Sequence, residues 1–325
     1  MNVGKLYTTQ ISLSEWFERI GHKKSKEFRH ADNQKREYLQ VLREEIGIEY
    51  DAGIKFDLNE LCALRLIPTV PNVPKLRIRG KTVADSMKWF AKQKINPKHY
   101  RAEFIPHVSN AIWSTIFVVQ KKGIFGEIIA GNHHQLTQGF HVEGKPIAFA
   151  FDFKTWRLSR NEGKALKHLK EIVATLHVAN TAKQRTIKKR LPQASFVKNY
   201  LRGYFETVTS KEHGLWFADY NMVLANIVPP SMETSSQGTP TSPGIARGIV
   251  GKEILVLPMT TPEHVPLMMK AKGIITEQGG ILSHAAIISR ELKKPCITGV
   301  PGATKKLKPG MMLSMNGGTG EITIS

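Results

Sequence analysis

Thr276-Glu277-Gln278-Gly279-Gly280-Ile281-Leu282-Ser283-His284-Ala285-Ala286 is the stretch from which the rest of the chain is best read. Gly273-Ile274-Ile275 before it reads as the end of a buried strand, and the paired glycines allow a tight turn with close backbone approach by a bulky group. Ser283 is placed to N-cap a helix running through Ala285, Ala286, Ile287 and Ile288 to Arg290-Glu291. His284 then falls on the first helical turn, beside unpaired backbone N–H groups and the positive end of the helix dipole. Such a spot suits phosphate. A neutral imidazole is a competent nucleophile near pH 7 and can hold a phosphoryl group covalently. A lone His after a Gly-Gly turn is more often a hydrogen-bonding residue; the expectation here is a phosphohistidine.

The last ~85 residues carry further landmarks that favour the covalent reading. They are Thr239-Pro240-Thr241-Ser242-Pro243-Gly244-Ile245-Ala246-Arg247-Gly248, then Ile254-Leu255-Val256 and Thr260-Thr261-Pro262-Glu263, and after the histidine Lys294-Pro295-Cys296-Ile297-Thr298-Gly299-Val300. In this order they resemble the swivelling phosphohistidine domain of the phosphoenolpyruvate-utilising enzymes. The resemblance implies a β/β/α domain in which His284 accepts phosphate from a nucleotide site and delivers it elsewhere. It also implies that Thr276, Gly279, Gly280 and Ser283 cradle the phosphate. Arg290 is either a phosphate contact or a salt-bridge residue.

Composition fits a soluble, cytoplasmic, multidomain α/β protein. The chain has 325 residues, enough for two or three cores, and 41% are hydrophobic, with no run that would span a bilayer. Met1-Asn2-Val3-Gly4-Lys5 lacks the apolar stretch of a secretory signal. Cys62 and Cys296 lie far apart, without metal-type spacing, and read as ordinary thiols, Cys296 buried. The formal net charge is +20, of which residues 235–325 supply +5 and residues 1–234 the remaining +15. A basic surface attracts nucleotides, nucleic acid or acidic partners. Lys183-Gln184-Arg185-Thr186-Ile187-Lys188-Lys189-Arg190 is the densest run, but no nucleic-acid module accompanies it, so nucleic acid is a secondary expectation.

Four segments are expected. Residues 1–100 read as mainly helical: Tyr38, Val41, Leu42 and Ile46 recur at helical spacing before Gly47, and Asp57 to Leu66 is a second candidate helix. Residues 101–228 read as α/β, with strands at Trp113 to Gln120, Gly126 to Ala130 and Ile147 to Phe153, a helix through Leu166 to Leu176, and a hairpin about Lys211-Glu212-His213-Gly214. Residues 229–243, rich in Pro, Ser, Thr and Gly, read as a flexible linker of about 20 Å r.m.s. span. Residues 244–325 are the swivelling domain. A carrier histidine needs such freedom, because donor and acceptor cannot both sit against one imidazole.

The middle segment also looks like part of an ATP-grasp fold, through Phe117-Val118-Val119-Gln120, Gly126-Glu127-Ile128-Ile129-Ala130-Gly131 and Gln138-Gly139. By that likeness Asp219 and Asn221, with Glu206 on the opposing strand, offer oxygens for Mg²⁺ and ATP; otherwise Asp219 and Asn221 simply end a strand. The Arg-Ser-Ser-type loop of that fold is not visible, nor is a phosphoenolpyruvate-binding barrel. His133-His134 read as a polar loop and not as a metal site, since neighbouring side chains on a strand point apart; the alternative there is a nucleotide or substrate contact. The expected function is phosphotransfer through His284 from a nucleotide to a small-molecule or protein acceptor. This chain is either self-sufficient or one subunit of a split system, synthase-like or like phenylphosphate synthase, with a separate ATP-binding subunit. The competing reading is a non-catalytic regulatory or nucleic-acid-associated protein using the same fold for binding.

Overall fold

The computed structural model describes residues 13–325 apart from 24, 71–72, 74–75, 109, 139–143 and 223–236. The N-terminal part begins with α1 (Leu13–Arg19) and α2 (Ser25–Ile46). Phe28, Ala31, Lys35, Leu39 and Leu42 form the buried stripe of α2, and Gly47, at φ +73°, ends it in the left-handed conformation that glycine tolerates. Among the described residues between Gly47 and residue 100, the strands depart from the helical expectation. Asp57 to Leu66 is a turn leading into a strand, β1 (Leu61–Pro68), which lies between β2 (Leu76–Thr82) and β3 (Tyr100–Pro106), antiparallel to both. Tertiary pairing decides this: Cys62, Leu64 and Leu66 are fully buried at period two, and ladders on both sides consume the backbone groups a helix would have used. Between β2 and β3, α3 (Val83–Ala91) is N-capped by Thr82, whose side chain accepts from the Asp85 N–H.

Residues 111–221 build a six-stranded sheet. In chain order its parts and their companions are β4 (Ala111–Gln120), β5 (Gly123–Ala130), α4 (His134–Gln138), β6 (Ile147–Phe151), β7 (Trp156–Leu158), α5 (Gly163–Thr175), α6 (Thr181–Arg190), the short pair β8 (Phe196–Val197) and β9 (Tyr200–Leu201), and the hairpin β10 (Gly203–Ser210) and β11 (Gly214–Asn221). The spatial order is β11-β10-β4-β5-β6-β7. Alternation gives the sheet two apolar faces. Phe117, Val119, Ile128, Phe149, Phe205 and Phe217 pack against Leu39 and Leu42 of α2 and Leu169, Ile172 and Val173 of α5. The other face carries Ile116, Val118, Phe125, Ile129 and Tyr204.

The C-terminal part comprises β12 (Thr239–Ser242), β13 (Ile245–Ile249), β14 (Ile254–Leu257), α7 (Val265–Lys270), β15 (Gly273–Thr276), α8 (His284–Glu291), β16 (Cys296–Thr298), α9 (Ala303–Lys306), β17 (Met312–Asn316) and β18 (Glu321–Ile324). One sheet runs β12-β16-β15-β14 and the other β13-β17-β18. The linker expected over 229–243 is shortened at its end. Residues 229–236 lie outside the described residues, and Thr239–Ser242 forms an edge strand on β16, a place where Pro240 costs no ladder bond on its open side. Cys296 is fully buried, as expected.

This domain rests on the second face of the six-stranded sheet. Val265, Met268, Ile274, Ile281, Leu282, Ile287 and Ile288 share one core with Ile116, Val118, Phe125, Trp16 and Phe17. His22 Nε2 meets Glu291 at 2.8 Å across the same junction. No helix among the described residues is long and apolar enough to cross a membrane.

Candidate functional site

The turn before α8 is built as the sequence dictates. Ser283 is the N-cap, accepting from the Ala286 N–H at 3.4 Å and donating its hydroxyl to the Gly280 carbonyl at 2.9 Å. Gly279 sits at φ +119°, where any side chain would be strained and a Cβ would come within 3.0 Å of Ser283 Oγ. Thr276 is fully buried and donates to the Gln278 carbonyl at 2.6 Å. In this arrangement the Thr276 and Ser283 hydroxyls brace the turn. His284 begins the helix.

His284 lies under Trp16, with ring centroids 5.6 Å apart, and between charges of opposite sign. Burial pushes its pKa down to about 4, with Glu206 opposing that shift and Arg77 of β2 adding to it. The ring is therefore neutral at neutral pH, with a lone pair available. Glu206 is fixed by two neighbours: the Tyr204 hydroxyl donates to Oε1 at 2.6 Å, and His133 Nε2 lies 2.7 Å from Oε2. Burial works against ionisation of Glu206, but His133, Lys35 and Tyr204 outweigh it and hold the carboxyl low, at about 2. His133, read from sequence as part of a polar loop, is thus a member of the site. His134 opens α4; burial, with His133, Arg79 and His107 nearby, pushes it down to about 4.

The strand register aligns these acids. Asp219 is opposite Glu206, Glu206 opposite Ile116, Ile116 opposite Glu127, and Glu127 opposite Ala148. Residues directly opposed in a sheet point to one face, so Asp219, Glu206 and Glu127 form a row on the face that receives the C-terminal domain. Asn221, opposed to Tyr204, stands one rung along on the same face. The three residues expected at a nucleotide site are brought together, on the side toward His284.

They do not form a Mg²⁺ cage. Lys35 Nζ lies 2.8 Å from Asp219 and 3.6 Å from Asp32, while His133 holds Glu206. An ammonium and an imidazole thus stand where a divalent cation would need converging oxygens. Among the described residues no group of three or more His, Cys, Asp or Glu is arranged to hold a metal. Asp219 Oδ1 is buried without a hydrogen-bond partner, and burial pushes its carboxyl up against the pull of Lys35. Behind this row Arg36 binds Asp51 at 2.6 Å, and Arg65, half-buried near Asp32, Glu103, Asp51 and Asp219, is raised above its usual range by their charge, which outweighs desolvation.

Glu127 makes a different contact. Its carboxylate accepts from the backbone N–H groups of Ile281 and Leu282, and Arg290 lies close by. Burial nevertheless raises its pKa to about 7 against those three favourable contacts. Arg290 donates Nη2 to the Ile281 carbonyl at 2.5 Å, which places the guanidinium beside the turn and Glu127. The basic run of α6 lies elsewhere: Arg190 pairs with Glu45 at 2.8 Å and with Glu44, and Lys188 sits 5.7 Å from the Phe196 ring centroid.

Glu127, Lys35 and Trp16 were not identified as site residues from sequence. Two of them carry a faint signal: Glu127 is a lone acid in the apolar run Gly126-Glu127-Ile128-Ile129, and Lys35 interrupts the buried stripe of α2.

Residues 249–320 match the family model described as "PEP-utilising enzyme, mobile domain". Phosphoenolpyruvate synthase of Aeropyrum pernix is 39% identical over 107 residues, 29% of this chain and 13% of that protein. The uncharacterized phosphotransferase YvkC of Bacillus subtilis is 47% identical over 72 residues, 22% of this chain and 9% of that protein. The chain therefore spans a small part of the length of the curated relatives it matches. Among solved structures, macrocyclase MdnC of Microcystis aeruginosa MRC covers 60% of this chain and 54% of its own at 12% identity and a TM-score of 0.29, too slight a likeness to carry an argument.

Proposed function

We propose, with residues 249–320 placed in the mobile-domain family of the PEP-utilising enzymes, that this chain carries a phosphoryl group on His284 and passes it to an acceptor. The observation that bears most weight is the state of His284: neutral, at the N-terminus of α8, and facing the ionised Glu206. A ring nitrogen with its lone pair attacks phosphorus, the N–P bond forms as the bond to the donor's leaving oxygen breaks, and positive charge builds on the ring. Glu206 favours that charge. Arg77 favours the negative charge of the arriving phosphoryl oxygens.

The donor we favour is a nucleotide on a second chain, as in a split system. Lys35 and His133 support this reading, because they occupy the carboxylates that Mg²⁺ and ATP would need in residues 101–228. The acceptor is a small molecule or a protein that reaches His284 once the domain swings away from Trp16. The test uses the whole chain with Mg²⁺ and ATP labelled separately at the β and γ phosphates, and in parallel with potassium phosphoramidate as a chemical donor. Acid-labile, alkali-stable label is expected on His284 from phosphoramidate alone, and none on His284→Ala. Label from ATP would place the nucleotide site on this chain and overturn the split arrangement. Absence of label with both donors would overturn the carrier reading and favour a binding module.

A further inference from the structure

Glu127 stands in the middle strands of the six-stranded sheet, on a face otherwise lined there by Ile116, Phe125, Ile129 and Ala148. No fold requirement asks for an acid at that position. Three features explain its presence. Its carboxylate accepts from the Ile281 and Leu282 N–H groups, which lie in the turn just before α8, next to the helix end whose first N–H groups have no partner within the helix. The missing side chain of Gly280 makes the approach feasible, since a Cβ there would stand 2.2 Å from Glu127 Oε2. Arg290 lies behind the same turn, 2.5 Å from the Ile281 carbonyl, and supplies positive charge next to the carboxylate.

We propose that Glu127 is a positioning residue: by lending its carboxylate to the Ile281 and Leu282 amides it seats the C-terminal domain on the sheet and so fixes where His284 stands. The apolar contacts around it supply most of the adhesion but little direction, because dispersion and hydrophobic contact are tolerant of sliding. A buried carboxylate that meets two amides is not tolerant. Losing the seat leaves the acid, or the amides, buried without partners, which is costly for either side. The inference goes beyond the carrier reading and does not depend on it, since seating is a property of the protein whether or not His284 is ever phosphorylated.

The full chain is compared with Glu127→Ala and Gly280→Ala. Reaction of His284 with diethyl pyrocarbonate is followed by mass spectrometry, with exposed His30 as an internal control. In the wild type His284 is only partly exposed, beside Trp16, and its reaction is expected to be slow. In Glu127→Ala it rises by roughly tenfold to a hundredfold, the scale of losing two hydrogen bonds to backbone amides, while His30 is unchanged. Gly280→Ala pushes the carboxylate off from the opposite side and gives a rise of similar size. Far-UV circular dichroism separates loss of the seat from loss of the fold. His284 as slow in both folded variants as in the wild type overturns the proposal. The ATP and phosphoramidate labelling reports on the carrier reading alone, so the two can fail separately.

Discussion

Two titrations at the junction work against each other, and separating them tests its electrostatics. Glu127 is raised from 4.5 to about 7, so the protonated acid is the form the structure favours. Its contribution to stability is full below pH 4.5 and is lost as pH rises through 7. His284 is lowered from 6.5 to about 4, so the neutral ring is favoured. Its contribution is full above pH 6.5 and is lost as pH falls through 4. Between pH 4.5 and 6.5 the folded chain binds about one more proton than the unfolded chain at Glu127 and about one fewer at His284, and each group tilts stability by about 1.4 kcal/mol per pH unit, with opposite sign. The wild type should therefore be nearly flat in this window as far as these two groups are concerned. Glu127→Gln removes one slope and leaves stability rising with pH, by about 2 kcal/mol from pH 5 to 6.5 relative to wild type. His284→Ala leaves it falling by a similar amount. Urea unfolding at the two pH values, compared as differences from the wild type at unchanged m, reads both effects and cancels every other titrating group. Profiles that run parallel in all three proteins would refute the reasoning, because the two environments would then not be charge-selective.

Trp16→Ala uncovers His284 and empties a buried site, and should cost about 3–5 kcal/mol in urea unfolding while the His284 ring, followed by NMR, titrates closer to pH 6.5. Lys35→Met leaves Asp219 buried beside Glu206 without its cation, and should destabilise by about 3–5 kcal/mol at pH 7, with the loss shrinking at low pH as Asp219 takes up a proton. Gly279→Ala forces a side chain into φ +119° and against Ser283, and is expected to lower stability by about 1–3 kcal/mol without changing the charge of the site, as checked by thermal unfolding.

The histidine turn was readable in sequence because each of its determinants is local. Gly279, Gly280, Ser283 and His284 act on their neighbours within a few residues, and the N-cap and the glycine conformation follow from residue type alone. The hairpin with Glu206 and Asp219 was readable for the same reason. The strand from Leu61 was not: its apolar residues suit a helix or a strand, and β2 and β3 decide the matter through partners 10 to 44 residues away. Glu127 was missed, and His133 was read first as part of a polar loop, on deeper grounds. What each does is set by a partner on a separate element, the turn before α8 for one and β10 for the other, and no spacing along the chain encodes that meeting.

The row of acids has a geometric consequence. Glu127 and Glu206 are separated by β4, two interstrand spacings or about 10 Å. The C-terminal domain meets one through the Ile281–Leu282 turn and faces the other through His284. The turn contact sets the position of the domain along the strands, and the charge of Glu206 acts on His284 from the second site. The seat has a single register. A shift of two residues along the strands, about 7 Å, would bring Phe125 or Ile129 under the turn, where no acceptor waits. The seat therefore admits one register of the domain on the sheet, and with it one placement of the imidazole.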